Sequence, residues 1–155
     1  MRVWRIAKQR HALDRKGTGG LIDGGRWHGQ GTPVIYAGLT VEICAMERLV
    51  HTASILPGDL VLVSISIPDD QELYEELAAT ALPQGWDATP PGDPSIEVGM
   101  EFLRSGRALG LIVPSAVVPE ARNMIINPFH PRFGEATLAI ERPFVFDSRL
   151  RTAPT

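Results

Sequence analysis

The sequence predicts an α+β domain of short strands with about three helices. Three observations predict it. Residues 60–67 alternate Leu60, Leu62, Ser64 and Ser66 against Val61, Val63, Ile65 and Ile67, the period of a strand. Val41, Ala45, Leu49 and Ala53 recur at four-residue steps, widened by Cys44, Met46 and Val50, the period of a helix. And 15 glycines with 13 prolines in 155 residues interrupt the chain too often for a helix bundle. No internal repeat or linker divides it, so residues 1–155 read as a single domain.

In chain order, residues 2–6 alternate around Val3, Trp4 and Ile6 and form an opening strand. Residues 11–25, rich in glycine and charge, read as an irregular loop. Residues 34–39 are β-branched and aromatic, a buried strand. Thr40 is a good cap for a helix over 41–54, and Glu42 in its first turn suits the helix dipole. Pro57, Gly58 and Asp59 turn the chain into the strand over 60–67, and Pro68 stops it. Residues 71–80 read as a short helix. Residues 82–94 are a proline-rich loop with Trp86 as an anchor into the core. Ser95 caps a helix to about Ser105. Strands follow over 109–113, 123–126, 137–140 and 144–147, with a break at Glu141, Arg142 and Pro143.

A net charge of −3 argues against a nucleic-acid-coating surface, though Arg5, Arg10, Arg15 and Arg26 leave room for a local basic pocket. The longest apolar run, near Leu60 to Ile67, is too short to span a bilayer as a helix, and the basic start of the chain has no apolar core of a secretion signal. The single cysteine, Cys44, excludes an internal disulfide, fits a cytoplasmic protein, and reads as a small core residue. His11, His28, His51 and His130 lack the spacing of a metal site, so no metal is expected. No nucleophile elbow, phosphate-loop or dinucleotide fingerprint is present.

Two stretches invite a functional reading. Gly24, Gly25, Arg26, Trp27, His28, Gly29, Gln30 and Gly31 surround one arginine and one tryptophan with glycines. Such a loop can bring a backbone and a guanidinium fork to phosphate oxygens, or be a plain surface turn. Trp27 suits ligand stacking and core packing equally. Glu47, at the edge of the helix stripe, is either a surface partner of Arg48 or His51 or a working carboxylate.

The order of these motifs resembles the RES-domain toxins. The resemblance rests on Gly24-Gly25-Arg26-Trp27, then Tyr36 in Val34-Ile35-Tyr36-Ala37, then Ala45-Met46-Glu47. It continues through Val113-Pro114-Ser115-Ala116 to Asn127-Pro128-Phe129-His130-Pro131. The arginine, glutamate and serine that name the family fall on Arg26, Glu47 and Ser115. The pattern departs at His28, where an asparagine is expected.

The resemblance implies a cytoplasmic toxin with an ADP-ribosyltransferase-like fold that consumes NAD⁺ as substrate, with no prosthetic group. It implies a cognate helix-turn-helix antitoxin that blocks the site and itself binds operator DNA. No direct nucleic-acid or membrane partner is implied, and a homodimer is left open. Arg26 and, second to it, Arg5 would meet the phosphates. Tyr36 and Trp27 would offer ring faces. Glu47 would hold the ribose, and Ser115 would hydrogen-bond near it. Three functions remain open on this reading: NAD⁺ glycohydrolase or phosphorylase, protein ADP-ribosyltransferase, and non-enzymatic partner-binding domain with an Arg26–Glu47 pair.

Overall fold

The structure is a computed structural model and describes residues 1–52 and 55–150. Its centre is one seven-stranded sheet. The strands are β1 (Arg2–Lys8), β2 (Ile35–Gly38), β3 (Leu60–Ser66), β4 (Tyr74–Glu76), β5 (Gly110–Pro114), β6 (Arg122–Ile126) and β7 (Thr137–Pro143). They lie in the order β4-β5-β6-β2-β1-β3-β7. Only β4–β5 is parallel. Three α-helices accompany the sheet: α1 (Thr18–Ile22), α2 (Val41–Val50) and α3 (Asp93–Ser105). The α+β class follows as the sequence predicts.

Side-chain alternation divides the core. Val3, Ile35, Ala37, Val61, Val63, Ile65, Met124 and Ile126 share one face and one cluster, with Phe133 and Ala136 packed onto it. The opposite face carries two clusters. Trp27, Trp86, Phe102, Leu103, Leu111, Val113 and Ile125 gather around α3. Ile6, Cys44, Leu60, Leu62 and Phe146 gather with Val41, Ala45 and Leu49 of α2. The predicted alternation of 60–67 thus holds: the even leucines face α2 and the odd residues face the other core.

Two glycines let the helices come close. A Cβ on Gly38 would meet Cys44 Sγ and Ile43 Cγ2, each at 2.6 Å, so its absence allows α2 to settle onto β2. A Cβ on Gly99 would lie 1.8 Å from the Trp27 carbonyl oxygen, so α3 lies directly against the arginine loop. Among the described residues, no helix is long and apolar enough to cross a membrane.

Five local expectations need correction. The loop over 11–25 contains α1. The helix expected to Ser54 ends at Val50, and residues 53–54 lie outside the described residues. The helix expected over 71–80 is instead two 3₁₀ turns flanking β4. Leu73 and Leu77 imitate a helical repeat, but Tyr74–Glu76 completes the ladder beside Gly110, Leu111 and Ile112, satisfying backbone groups a helix would leave away from the sheet. α3 begins at Asp93 with Pro94 in its first turn and Gly92 as cap, ahead of Ser95. Finally, β7 runs through the expected break, and 144–147 is not strand. A register shift opposite Leu62 and Val63 absorbs one residue, so Arg142 and Pro143 still pair. Pro143 is tolerated because β7 is an edge strand.

Candidate active site

β1 and β2 pair only at Trp4 and Gly38, and the sheet opens beyond that point. Arg5 and Tyr36 line the opening, together with Asp14, Gly17, Gly19, Gly20, Gly24, Gly25 and His28. The cleft measures about 210 Å³. That is less than the roughly 300–1,000 Å³ of clefts that enclose a whole ligand, so it suits one part of a dinucleotide.

Glu47 is not among the residues that line this cleft. Its Oε1 accepts from Ser115 Oγ at 2.8 Å and from Asn123 Nδ2 at 2.6 Å. Its Oε2 lies 3.7 Å from His51 Nε2, and the side chain is 26% exposed. Ser115 is fully buried, and its hydroxyl oxygen accepts from the N–H groups of Val117 and Val118 at 3.0 and 3.1 Å. The hydroxyl proton is therefore free to point only at Glu47. Asn123 sits opposite Gly38, two residues from the position facing Tyr36. Diagonal neighbours of this kind stand about 7–8 Å apart, so Asn123 bridges the Tyr36 side of the sheet to the Glu47 carboxylate.

Tyr36 is held by a chain of hydrogen bonds. Its oxygen accepts from the Trp27 N–H at 3.1 Å and lies 2.7 Å from His28 Nδ1. His28 Nε2 faces the Asp23 carbonyl at 2.9 Å. A carbonyl only accepts, so in the neutral ring Nε2 carries the proton and Nδ1 accepts from the tyrosine hydroxyl. Burial pushes the Tyr36 phenol well above its ordinary value, partly offset by the Trp27 N–H and the Arg26 charge. A Cβ on Gly25 would lie 2.9 Å from both the tyrosine oxygen and the histidine ring, so only glycine fits here.

Arg26 does not line the cleft. Its Nη1 donates to the carbonyls of Trp86 and Ala88, each at 2.9 Å, and so ties the proline-rich loop to the arginine loop. The Trp27 ring is only 3% exposed and stacks on Trp86 at 6.0 Å and 24°. This settles its two readings in favour of core packing and corrects the expectation of ligand stacking; Trp86 is the predicted anchor. Arg15 is spent on the carbonyls of Phe133 and Ala136, and Arg10 on His11, so neither joins the cleft.

Three further polar residues are structural, Cys44 as the sequence predicts. Cys44 is buried, donates to the Trp4 carbonyl at 3.1 Å, and has its thiol pushed up to about 12 by burial. Asn127 donates to the Leu103 carbonyl at 3.3 Å, and His130 Nδ1 accepts from Arg132 N at 3.2 Å. The Asn127–Pro131 motif therefore fastens the end of β6 to α3. Among the described residues, no three His, Cys, Asp or Glu side chains gather as a metal site. Asn123 and Asp14 were not singled out by sequence. Strand period alone places Asn123 on the Ile125 face, where an amide is conspicuous.

The RES domain family model matches residues 2–147. The chain is 38% identical over 152 residues to a "Prs ADP-ribosylating toxin" of Sphingobium sp., covering 95% of this chain and 94% of that one. It is 35% identical over 153 residues to a "Toxin Res" of Photorhabdus laumondii, covering 97% of each. A "Toxin Res" of Pseudomonas putida is 37% identical over 153 residues, covering 97% of this chain and 99% of its own. Among solved structures, the M. tuberculosis MbcT-MbcA toxin-antitoxin complex contains a chain with the same fold. That match has a TM-score of 0.66 at 20% identity and covers 92% of this chain and 84% of the other.

Proposed function

Because the chain belongs to the RES domain family, we propose that it is a toxin acting on NAD⁺ as a single cytoplasmic domain, cleaving the nicotinamide–ribose bond. The observation that carries this reading is the Glu47 carboxylate. It is oriented by Ser115 and Asn123, and Asn123 stands diagonal across the β2–β6 ladder from Tyr36, which lines the cleft with Arg5. A partner-binding domain would not need a half-buried carboxylate aimed by two donors. The Arg26–Glu47 pair that such a reading expects is not formed: Arg26 holds two carbonyls, and Glu47 holds Ser115 and Asn123.

Cleavage of the bond leaves an oxocarbenium-like ribose, as in glycoside hydrolysis. Nicotinamide departs neutral, because the pyridinium takes the bonding electrons, so no general acid is required. One carboxylate then suffices. Glu47 binds the ribose hydroxyls through the oxygens its partners leave open and stabilises the growing positive charge. Tyr36 offers its ring edge to nicotinamide or ribose, its hydroxyl being fixed by His28. Arg5, which lines the cleft, faces the phosphates, while Arg26 holds the loop that carries the Trp27 N–H bonded to Tyr36. Ser115 acts by positioning Glu47.

The acceptor is water or phosphate on this reading. Transfer to a protein is the second reading, favoured by the name of the Sphingobium relative, an ADP-ribosylating toxin. A cognate antitoxin of helix-turn-helix type is the proposed partner, the structural neighbour being one half of a toxin-antitoxin complex. The test is nicotinamide release from NAD⁺ by purified, antitoxin-free protein, with and without phosphate. We expect release, and loss of about 10²–10³-fold in Glu47→Gln. No release from folded protein in either buffer overturns the reading. Label appearing on a protein instead of free ADP-ribose or its phosphate selects the transferase.

A further inference from the structure

The two ends of the sheet are finished differently. At one end β4 is three residues long, and its Glu75 and Glu76 are held by Arg107 and Arg122. A short edge with charged side chains discourages further pairing. At the other end β7 is seven residues long and pairs with β3 alone. Among the described residues, no backbone hydrogen bond reaches its outer side. Neither described segment next to β7 covers it. Phe133 and Ala136, ahead of the strand, pack into one core. Phe146, behind it, is buried with Ile6, Cys44 and Leu62 in another.

Part of this edge is defended. The register shift opposite Leu62 and Val63, and Pro143 itself, fall in its second half, and a bulge or a proline spoils strand addition. Residues 137–140 precede both. Leu138 packs against the core below, and Ile140, on the same face, is 41% exposed. Laid antiparallel against a second copy, this stretch selects one register. A two-fold axis at Ala139 sets Leu138 opposite the second copy's Ile140, twice, and Thr137 opposite its Glu141, twice. Opposed cross-strand neighbours attract when both are apolar or when a donor meets an acceptor. One Glu141 oxygen holds the Ser64 hydroxyl, which leaves the other for a threonine hydroxyl. An axis at Ile140 instead sets Leu138 against Arg142 and brings the two Glu141 carboxylates to diagonal positions, where they repel.

We propose that the chain self-associates through residues 137–141 of β7, two copies joining their sheets antiparallel about Ala139. A pairing of this length buries less than the roughly 1,200 Å² at which stable interfaces begin, so the dimer is weak and forms with concentration. The cleft between β1 and β2 is separated from this edge by β3 and β1 and stays open in the dimer. The proposal therefore stands apart from the NAD⁺ reading above.

Sedimentation equilibrium of the full, antitoxin-free chain, followed into the high micromolar range, reads the dimer directly. Wild type is compared with Ile140→Lys, Thr137→Glu and Thr137→Lys, all at exposed positions, and melting temperatures confirm folding. Each substitution enters a two-fold interface twice. The dissociation constant should rise about tenfold in Ile140→Lys, which charges the edge, and in Thr137→Glu, which sets a carboxylate against Glu141. It should fall in Thr137→Lys, which sets an ammonium there. A chain that stays monomeric throughout overturns the proposal, and so does a dimer that all three variants leave unchanged. A dimer that Ile140→Lys weakens but that treats the two Thr137 variants alike overturns it too, because the pairing is then not the one about Ala139. Should Ile140→Lys fail to fold, the Thr137 pair decides alone.

Discussion

Asn123 donates its side-chain amide to the same oxygen of Glu47 that takes the Ser115 hydroxyl, across 2.6 Å. Both donors are delivered by the sheet, β6 carrying one and the end of β5 the other, while the carboxylate comes from α2. The geometry of the proposed catalytic group is therefore a property of how α2 lies on the sheet, which Gly38 makes possible.

That relationship predicts how Asn123 variants behave. Asn123→Leu removes a donor, and Asn123→Asp replaces it with an acceptor facing an acceptor. A misplacement of about 1 Å costs on the order of 10²-fold in rate. We expect both variants to lose about that much in nicotinamide release, the aspartate more than the leucine. Turnover equal to wild type in both would remove Asn123 from the site.

Ser115 and Glu47 separate stability from activity. The Ser115 oxygen accepts two backbone N–H groups, and the residue is fully buried. Ser115→Ala leaves those donors without a partner, at about 1–3 kcal/mol. For a chain of this size that is on the order of 2–4 °C of melting temperature per kcal/mol. Glu47→Gln leaves the Ser115 acceptors in place. Thermal melts should therefore fall for Ser115→Ala and hold for Glu47→Gln, while both lose activity. A Ser115→Ala protein as stable as wild type would contradict the hydrogen bonding described.

The sheet was legible where each face of an element meets its own core. The two-residue alternation of 60–67 survives because its two faces meet different cores, and the four-residue steps of 41–50 survive because α2 lays one face on one of them. β4 was hidden because its three residues have no pattern of their own and exist through their ladder to β5. The extent of β7 was hidden by a bulge set by its partner. Within the site, Glu47 and Ser115 meet although 68 residues separate them. What sequence could not show was division of labour. Arg26 reads as a phosphate grip, yet its Nη1 is committed to loop carbonyls that lie sixty residues on. Trp27 is core, and the cation in the cleft is Arg5.

His28 fixes Tyr36, and Tyr36→Phe is the change that exposes this. The phenol oxygen satisfies the Trp27 N–H and the His28 ring, both beside buried groups. Removing it orphans a donor and an acceptor, so a cost of about 1–3 kcal/mol in unfolding free energy is expected. His28→Asn, the residue expected from the family pattern, is the companion variant. It should keep more activity than His28→Leu, because an amide can still bond the hydroxyl. Equal loss in the two would mean that His28 acts by volume alone.

His130 gives the fold a dependence on pH that has nothing to do with catalysis. Burial, and then the charge of Arg132, holds its imidazole below the ordinary 6.5, while Nδ1 accepts from Arg132 N. The unfolded chain therefore binds a proton at a higher pH than the folded one. Its stabilising contribution is complete above the ordinary value and is lost as pH falls from there through the lowered folded value. His130→Asn keeps an acceptor at the same place without titrating. Denaturant unfolding between about pH 7 and pH 5 should show wild type losing more stability than the variant over the interval. Parallel losses in the two proteins would show that the imidazole does not titrate against folding.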